Sequence, residues 1–353
     1  MDFTFTEDQL LFREAIGRFL KTEAAPEKLR EIWSAEQAPI DELLEKISAQ
    51  GLCALSIPEA NGGLEMGDVA WSLMTQELGY YAIPDKLANT AYVGAGLVCA
   101  LADDFADKDE YLNKICEGQL HTAIGHQSSP LVAAADLAEV LFLQKDDQIH
   151  LVARENIEQT ANPSIDSSRH LSHVTWQASA ETCVANGAAG KQIWDKTFNR
   201  GALSIAGQLL GLAQRMLDLS VEYSLQRKQF GKDIGSFQAV KHKLADVAGK
   251  IEIAKPVLYR AAYSLETNHP LSDIHVSQAR NFCSDAASLA ARHGIQVHGA
   301  MGYTWEVDLQ MYVKRSWAIN NTWGDSIFHQ ARVQNYVLES DVDLAPSNTF
   351  EAL

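Results

Sequence analysis

Two short segments of this 353-residue chain carry side chains suited to holding a pyrophosphate and an attached ring system. The first runs Tyr223-Ser224-Leu225-Gln226-Arg227-Lys228-Gln229-Phe230-Gly231-Lys232-Asp233-Ile234-Gly235-Ser236-Phe237-Gln238. Arg227 at a helix end, followed by Gln229-Phe230-Gly231, makes a turn that presents a planar cation, an amide and an aromatic ring together. The plain structural alternative is a polar helix-to-helix turn with Arg227 on a solvated face. The second segment is Gln296-Val297-His298-Gly299-Ala300-Met301-Gly302-Tyr303-Thr304. Closely spaced glycines after a helix let backbone N–H groups approach a phosphate or a ring edge, and the alternative there is a simple helix connection. No strand precedes these glycines, so they are not a dinucleotide-binding fingerprint.

Other chemistries find little support. His121 with His126, and His170 with His173, lack carboxylates or cysteines at metal-ligand spacing and read as solvated or core histidines. The five cysteines are scattered without a C-x-x-C pair, which excludes a disulfide framework or zinc site and points to a reducing compartment. A formal net charge of −17 excludes a nucleic-acid or anionic-membrane surface, both of which need clustered cations. The opening Met1-Asp2-Phe3-Thr4-Phe5 has no basic leader region, and no apolar run reaches membrane-spanning length. A cytoplasmic protein used at full length is expected.

The elements that must position the two segments follow from periodicity. Thr6 with Gln9 predicts a capping box before Leu10, Leu11, Phe12, Ile16, Phe19 and Leu20 at helical spacing. A second helix is predicted from about Pro39 to Gln50, stopped by Gly51, then a breaker-rich loop at Ile57–Gly63 and a helix ending at Leu78-Gly79. Between about Leu120 and Ile193 the period shifts toward two: Val140–Gln144 and Ile149–Ala153 read as a hairpin, Leu171–Trp176 as a further strand. Four long helices are then predicted, over about 199–226, from Phe237 with a kink at Pro256, over 272–293 and over 307–336. The fold class is mainly α with a small β domain: a helical domain over 1–118, a shortened middle β barrel or sandwich over 119–193, and a four-helix bundle over 194–353.

Taken together, Tyr-x-x-x-Arg-x-Gln-Phe-Gly-x-x-Ile-x-x-Phe-Gln and the later Gln-x-x-Gly-x-x-Gly-Tyr resemble the C-terminal domain of acyl-CoA dehydrogenases. The Phe-Thr-Glu-Asp-Gln opening, Ile57-Pro58-Glu59 with Gly62-Gly63, and Glu77-Leu78-Gly79 extend the resemblance to most of the chain outside the middle domain. It implies FAD and α,β-dehydrogenation of an acyl-CoA thioester, in which a carboxylate takes the α-proton and the flavin takes the β-hydride. It also implies that Arg227, Gln229, Phe230, Gln238, Gln296, Gly299 and Ala300 contact FAD seated in a neighbouring subunit, and that an electron-transferring flavoprotein accepts the electrons.

The departures from that family pattern matter equally. The middle-domain loop that cradles the flavin ring in its own subunit is replaced by Thr122-Ala123-Ile124-Gly125-His126-Gln127-Ser128-Ser129-Pro130. The usual base position holds Trp323, which has no usable basic lone pair, and the alternative base position on the first bundle helix holds Gly201. Asp325, two residues past the base position, and Glu306 are the remaining carboxylate candidates. Trp323 is expected to fill space an acyl chain would otherwise enter, and Trp305 and Trp317 to be core or interface residues. The resemblance is strongest to the smaller, non-catalytic subunit of heteromeric dehydrogenases acting on sterol or bile-acid side chains as CoA thioesters, with a heterotetramer expected. Two alternatives stand beside it: a self-sufficient homo-oligomer with a displaced base, and a flavin-free structural homologue.

Overall fold

A computed structural model describes residues 4–34, 40–127 and 129–339. Met1–Phe3, the predicted helix start at Pro39, and Ser128 of the middle loop lie outside the described residues. The N-terminal part is helical: α1 (Glu7–Glu23), α2 (Pro26–Ser34), α3 (Ile40–Ser48), α4 (Asp68–Tyr80), α5 (Asp85–Ala88), α6 (Ala95–Ala100) and α7 (Lys108–Cys116). The capping box forms, since the Thr6 N–H donates to Gln9 Oε1 at 3.0 Å and the Gln9 N–H to Thr6 Oγ1 at 3.3 Å. Gly51 adopts φ 84° just after α3, a left-handed conformation that favours glycine.

The chain sorts into two compact units. One gathers the chain up to Arg18, Ser72–Ala82, and everything from Ile205 onward; the other gathers Phe19–Trp71 and Ile83–Ser204. In the second unit lie β1 (Thr122–Gly125), β2 (Val132–Ala133), β3 (Val140–Lys145), β4 (Gln148–Ala153), β5 (Glu158–Asn162), β6 (Leu171–Thr175) and β7 (Cys183–Ala185). The expected hairpin is the β3–β4 pair, from Val140 opposite Ala153 to Lys145 opposite Gln148. One sheet has the order β1-β3-β4-β7, with β1 parallel to β3, and the other has the order β2-β6-β5. Ala123, Val132, Leu141, Leu143 and Val152, from strands of both sheets, share one buried cluster with Ala135 and Ala138. The β region is therefore two small sheets facing a common core. Also in this unit, a π-helical turn at Asn89–Gly94 joins α5 to α6 and carries Tyr92, whose hydroxyl donates to Asp68 at 2.7 Å. Asp68 also accepts from Arg200 Nε at 3.0 Å, a buried pair that satisfies both charges.

The C-terminal helices are α8 (Gly187–Gln226), α9 (Gln238–Glu266), α10 (Ser272–His298), α11 (Leu309–Ile319) and α12 (Ser326–Glu339). Two expectations need correction. Helix α8 begins at Gly187 rather than near Asn199, and Gly190 in its first turn serves close approach: a Cβ there would lie 2.2 Å from the Asp147 carbonyl. The predicted single helix over 307–336 is two, because the chain turns at Asn320–Gly324, where Trp323 and Gly324 take φ 56° and 89°. Pro256 lies inside α9, which continues through it.

Candidate functional site

The first segment emerges directly from the end of α8. Arg227 follows the last helical residue, and two short strands, β8 (Lys228–Gln229) and β9 (Lys232–Asp233), fold back on each other. Phe230 and Gly231 form the tip with φ 52° and 80°, two consecutive left-handed residues, as a tight hairpin turn demands. The Ile234 N–H donates to the Arg227 carbonyl at 2.8 Å and closes the loop. A bulky residue at positive φ is strained, and Phe230 is also 91% exposed, so the fold holds an aromatic ring out at the apex of a rigid hairpin. Arg227 and Gln229 are exposed beside it, and the Arg227 guanidinium has no partner among the described residues. Gln238 opens α9 immediately after the hairpin and is exposed as well.

The second segment ends α10. Gln296 is exposed on its last turn, and Gly299 takes φ 60° and ψ −136°, a region open essentially to glycine alone. Nothing lies within 4 Å of where a Gly299 Cβ would sit, and Ala300 beside it is exposed, so backbone is bared at this corner. The two segments meet at Tyr223 and His298. Tyr223, four residues before Arg227, stacks on His298, with ring centroids 4.2 Å apart and planes 23° from parallel. His298 is 4% exposed; its Nδ1 donates to the Gly294 carbonyl at 2.8 Å, and burial holds its pKa below the usual histidine range.

A different arrangement holds the Asn320–Gly324 turn, where the resemblance leads one to expect a catalytic base. Arg280, buried in α10, donates through NH2 to the carbonyls of Asn320 at 2.7 Å, Thr322 at 3.3 Å and Gly324 at 3.0 Å, and through NH1 to Ser284 Oγ at 2.7 Å. Burial pulls this guanidinium down to about 10. His329 is fully buried; its Nε2 donates to the Trp323 carbonyl at 2.9 Å while Nδ1 accepts from Ser277 at 3.1 Å, which makes it neutral, its pKa pushed to about 3 first by burial and then by Arg280. The turn is thus clamped at four carbonyls, with the Trp323 side chain 7% exposed. Asp325 accepts the Phe328 N–H at 2.8 Å, so its carboxylate is the N-cap of α12. Glu306 is exposed, as are Trp305 (62%) and Trp317 (47%), which are therefore not core residues. Gly201 is buried within α8.

In the second unit, Thr122–Gln127 comprise β1 and the two residues that follow it. His126 there packs against Trp194 and Phe198, with ring centroids 5.5 and 4.7 Å away, and burial lowers its pKa to about 4. Among the described residues no cluster of three or more histidine, cysteine, aspartate or glutamate side chains could hold a metal ion. Among the described residues no helix is long and apolar enough to cross a membrane.

The Arg280 clamp is the feature that motif reading missed. Its signal was faint: Val276, Arg280, Cys283 and Ala287 fall on one apolar helical stripe, where an arginine is out of place unless it meets backbone carbonyls.

A helical chain interrupted by two small sheets, with an exposed Arg-Lys-Gln-Phe-Gly hairpin and a glycine corner joined to it, defines a class, and comparison gives that class its name. Residues 6–119 match the acyl-CoA dehydrogenase N-terminal domain model and residues 188–326 the C-terminal domain model. The chain is 30% identical over 315 residues to the acyl-CoA dehydrogenase IpdE2 of Mycobacterium tuberculosis, covering 88% of this chain and 91% of that one. This chain belongs to the acyl-CoA dehydrogenase family, oxidoreductases acting on the CH–CH bond of acyl-CoA thioesters. Among solved structures, its fold is similar to a chain of the ChsE4–ChsE5 complex from Mycobacterium tuberculosis, with a TM-score of 0.86 at 21% identity over 97% of this chain and 100% of that one. It is equally similar to butyryl-CoA dehydrogenase from Megasphaera elsdenii, with a TM-score of 0.85 at 20% identity over 96% and 100%.

Proposed function

We propose that this chain is the non-catalytic partner subunit of a heteromeric acyl-CoA dehydrogenase, contributing half of an FAD site to a longer catalytic chain. The observation that carries the reading is an asymmetry. Arg227, Gln229, Phe230, Gln238, Gln296, Gly299 and Ala300 are all present at the hairpin and glycine corner, several of them exposed and free of local partners. The groups needed for chemistry within one's own subunit are missing: Trp323 and Gly201 stand at the two base positions, and the middle loop lacks the flavin-ring cradle.

The residues present fit FAD as offered by a neighbour. The exposed Arg227 guanidinium suits a pyrophosphate, Phe230 suits stacking against a ring, and the bare backbone at Gly299 and Ala300 suits close approach of a phosphate or ring edge. When bound, FAD supplies the hydride acceptor for dehydrogenation. This chain's own residues then orient the cofactor, and the α-proton is taken by a carboxylate of the partner chain. Asp325 does not replace that base, because its carboxylate is engaged in capping α12. The similarity to a chain of the ChsE4–ChsE5 complex supports a two-chain assembly. A bulky steroid-type acyl-CoA is the substrate class we infer, from the resemblance of short, glutamate-free chains to the smaller subunits of such pairs.

The test is the visible spectrum. The chain purified alone is expected to carry no flavin, and flavin absorbance that bleaches on acyl-CoA addition is expected after co-expression with the longer dehydrogenase chain with which it copurifies. Stoichiometric flavin and acyl-CoA bleaching in the isolated chain would sink the partner-subunit reading.

A further inference from the structure

The cofactor residues proposed above sit on two segments about seventy positions apart, and neither can bind a shared ligand unless its register against the other is held. We infer that the Tyr223–His298 stack is the joint that sets this register, and that both are positioning residues for the cofactor site. The inference rests on the partner-subunit reading and goes beyond it by assigning a role to two residues that need not touch the cofactor.

The geometry at the joint is over-determined on both sides. Tyr223 lies one helical turn before Arg227, and its carbonyl accepts the Arg227 N–H at 2.9 Å, so the ring is tied directly to the base of the hairpin. His298 is the last residue of α10, directly before Gly299. The donation from His298 Nδ1 to Gly294 fixes ring orientation and tautomer, and leaves the flat face of a neutral imidazole against the phenol ring. The Tyr223 hydroxyl reaches the His298 carbonyl at 3.5 Å, a second tie across the joint. A Cβ at Gly302 would lie 3.3 Å from His298 Cβ, so the turn beyond Gly299 closes tightly over the same residue. Packing alone would be served by an aliphatic pair here. A tyrosine and a histidine held face to face, each adjoining a cofactor segment, give a directional contact that fixes angle as well as distance.

The experiment uses the flavin-containing complex and measures the FAD dissociation constant by reconstitution of the apo complex. Tyr223→Leu and His298→Leu are each expected to weaken FAD binding by about tenfold, and the double variant to be little worse than either single one, because both remove the same contact. Tyr223→Phe and His298→Phe keep two stacked rings and are expected to retain affinity within about threefold. That rescue is the readout a purely structural role would not give, with melting temperatures recorded alongside. Additive losses in the double variant, or unchanged FAD affinity in both leucine variants, would overturn the joint while leaving the partner-subunit reading intact. A complex that never takes up flavin would overturn both. If the leucine variants fail to fold, the phenylalanine pair still decides, since loss of FAD from folded His298→Phe and Tyr223→Phe contradicts the inference.

Discussion

Arg280 is a cation without a salt bridge among the described residues, and its Nη2 donates to carbonyls of the turn after α11. Removing it takes the Arg280 donor from the half-buried carbonyls of Asn320, Thr322 and Gly324, at a cost of roughly 1–3 kcal/mol for each that is left unmatched. Arg280→Leu is therefore expected to lower the unfolding free energy by at least about 3 kcal/mol, read as a shift of the urea midpoint, and a loss under about 1 kcal/mol would show that the turn holds itself. Asp325 makes a contrasting case. As a helix cap its loss to alanine is expected to cost about 1 kcal/mol, with Asp325→Asn nearly neutral, and dehydrogenation by the complex is expected to be unchanged in Asp325→Asn. The sequence exposed Arg227, Gln229 and Phe230 because cation, amide and ring stand side by side in the chain. Arg280 and His329 were not legible in that way, because their partners are backbone carbonyls some forty residues away and beyond a turn, which no local pattern announces.

Helix packing shows the same division between local signal and distant cause. In the first unit, α4 and α8 touch backbone to backbone: a Cβ at Gly211 would lie 2.0 Å from the Gln76 carbonyl, and one at Gly79 2.1 Å from that of Gln208. Only a hydrogen atom fits at either position. Gly211→Ala is expected to destabilise this unit by about 2–3 kcal/mol through overpacking, whereas an alanine at Gly249, where nothing lies within 4 Å, is expected to be neutral or stabilising. Equal melting temperatures for the two variants would contradict the close-approach account. Reading Gly79 only as a helix end caught its position to within a residue but not this purpose, since α4 runs on to Tyr80. The β3–β4 hairpin was legible because two apolar runs flank a polar tetrad. β1, β2, β5 and β7 were missed: the four-, two- and three-residue strands are too short for a period to show, and β5 is polar and mostly exposed, with no apolar alternation. The break between α11 and α12 was missed because apolar spacing continues across a turn that is held by Arg280 from another helix.

The chain as a whole carries a pH dependence that follows from its buried histidines. His275 accepts from Arg260 NH2 on Nε2 at 2.9 Å and is bonded to Ser264 through Nδ1 at 2.7 Å; like His329 it is neutral, with a pKa pushed by burial from 6.5 to about 3. A folded-state pKa below the unfolded value means that stability is fully present above about pH 6.5 and falls as pH drops toward 3, by about 1.4 kcal/mol per pH unit for each histidine. His275→Gln is expected to flatten the slope of urea midpoint against pH between 6 and 4 by one histidine's share, and an unchanged slope would contradict this. Fold class and the positions of the exposed hairpin and the glycine corner were readable from this sequence. The Arg280 clamp on the Asn320–Gly324 turn and the Tyr223–His298 stack were not, since both depend on long-range contacts between helices. The central claim is that the exposed hairpin serves a flavin held by another chain, and flavin occupancy of the co-expressed complex with Arg227→Ala tests it most directly. Assembly of both chains with flavin content reduced at least about tenfold is the expected result, since the lost contact is a charge-assisted one; full flavin occupancy in the variant complex would contradict it.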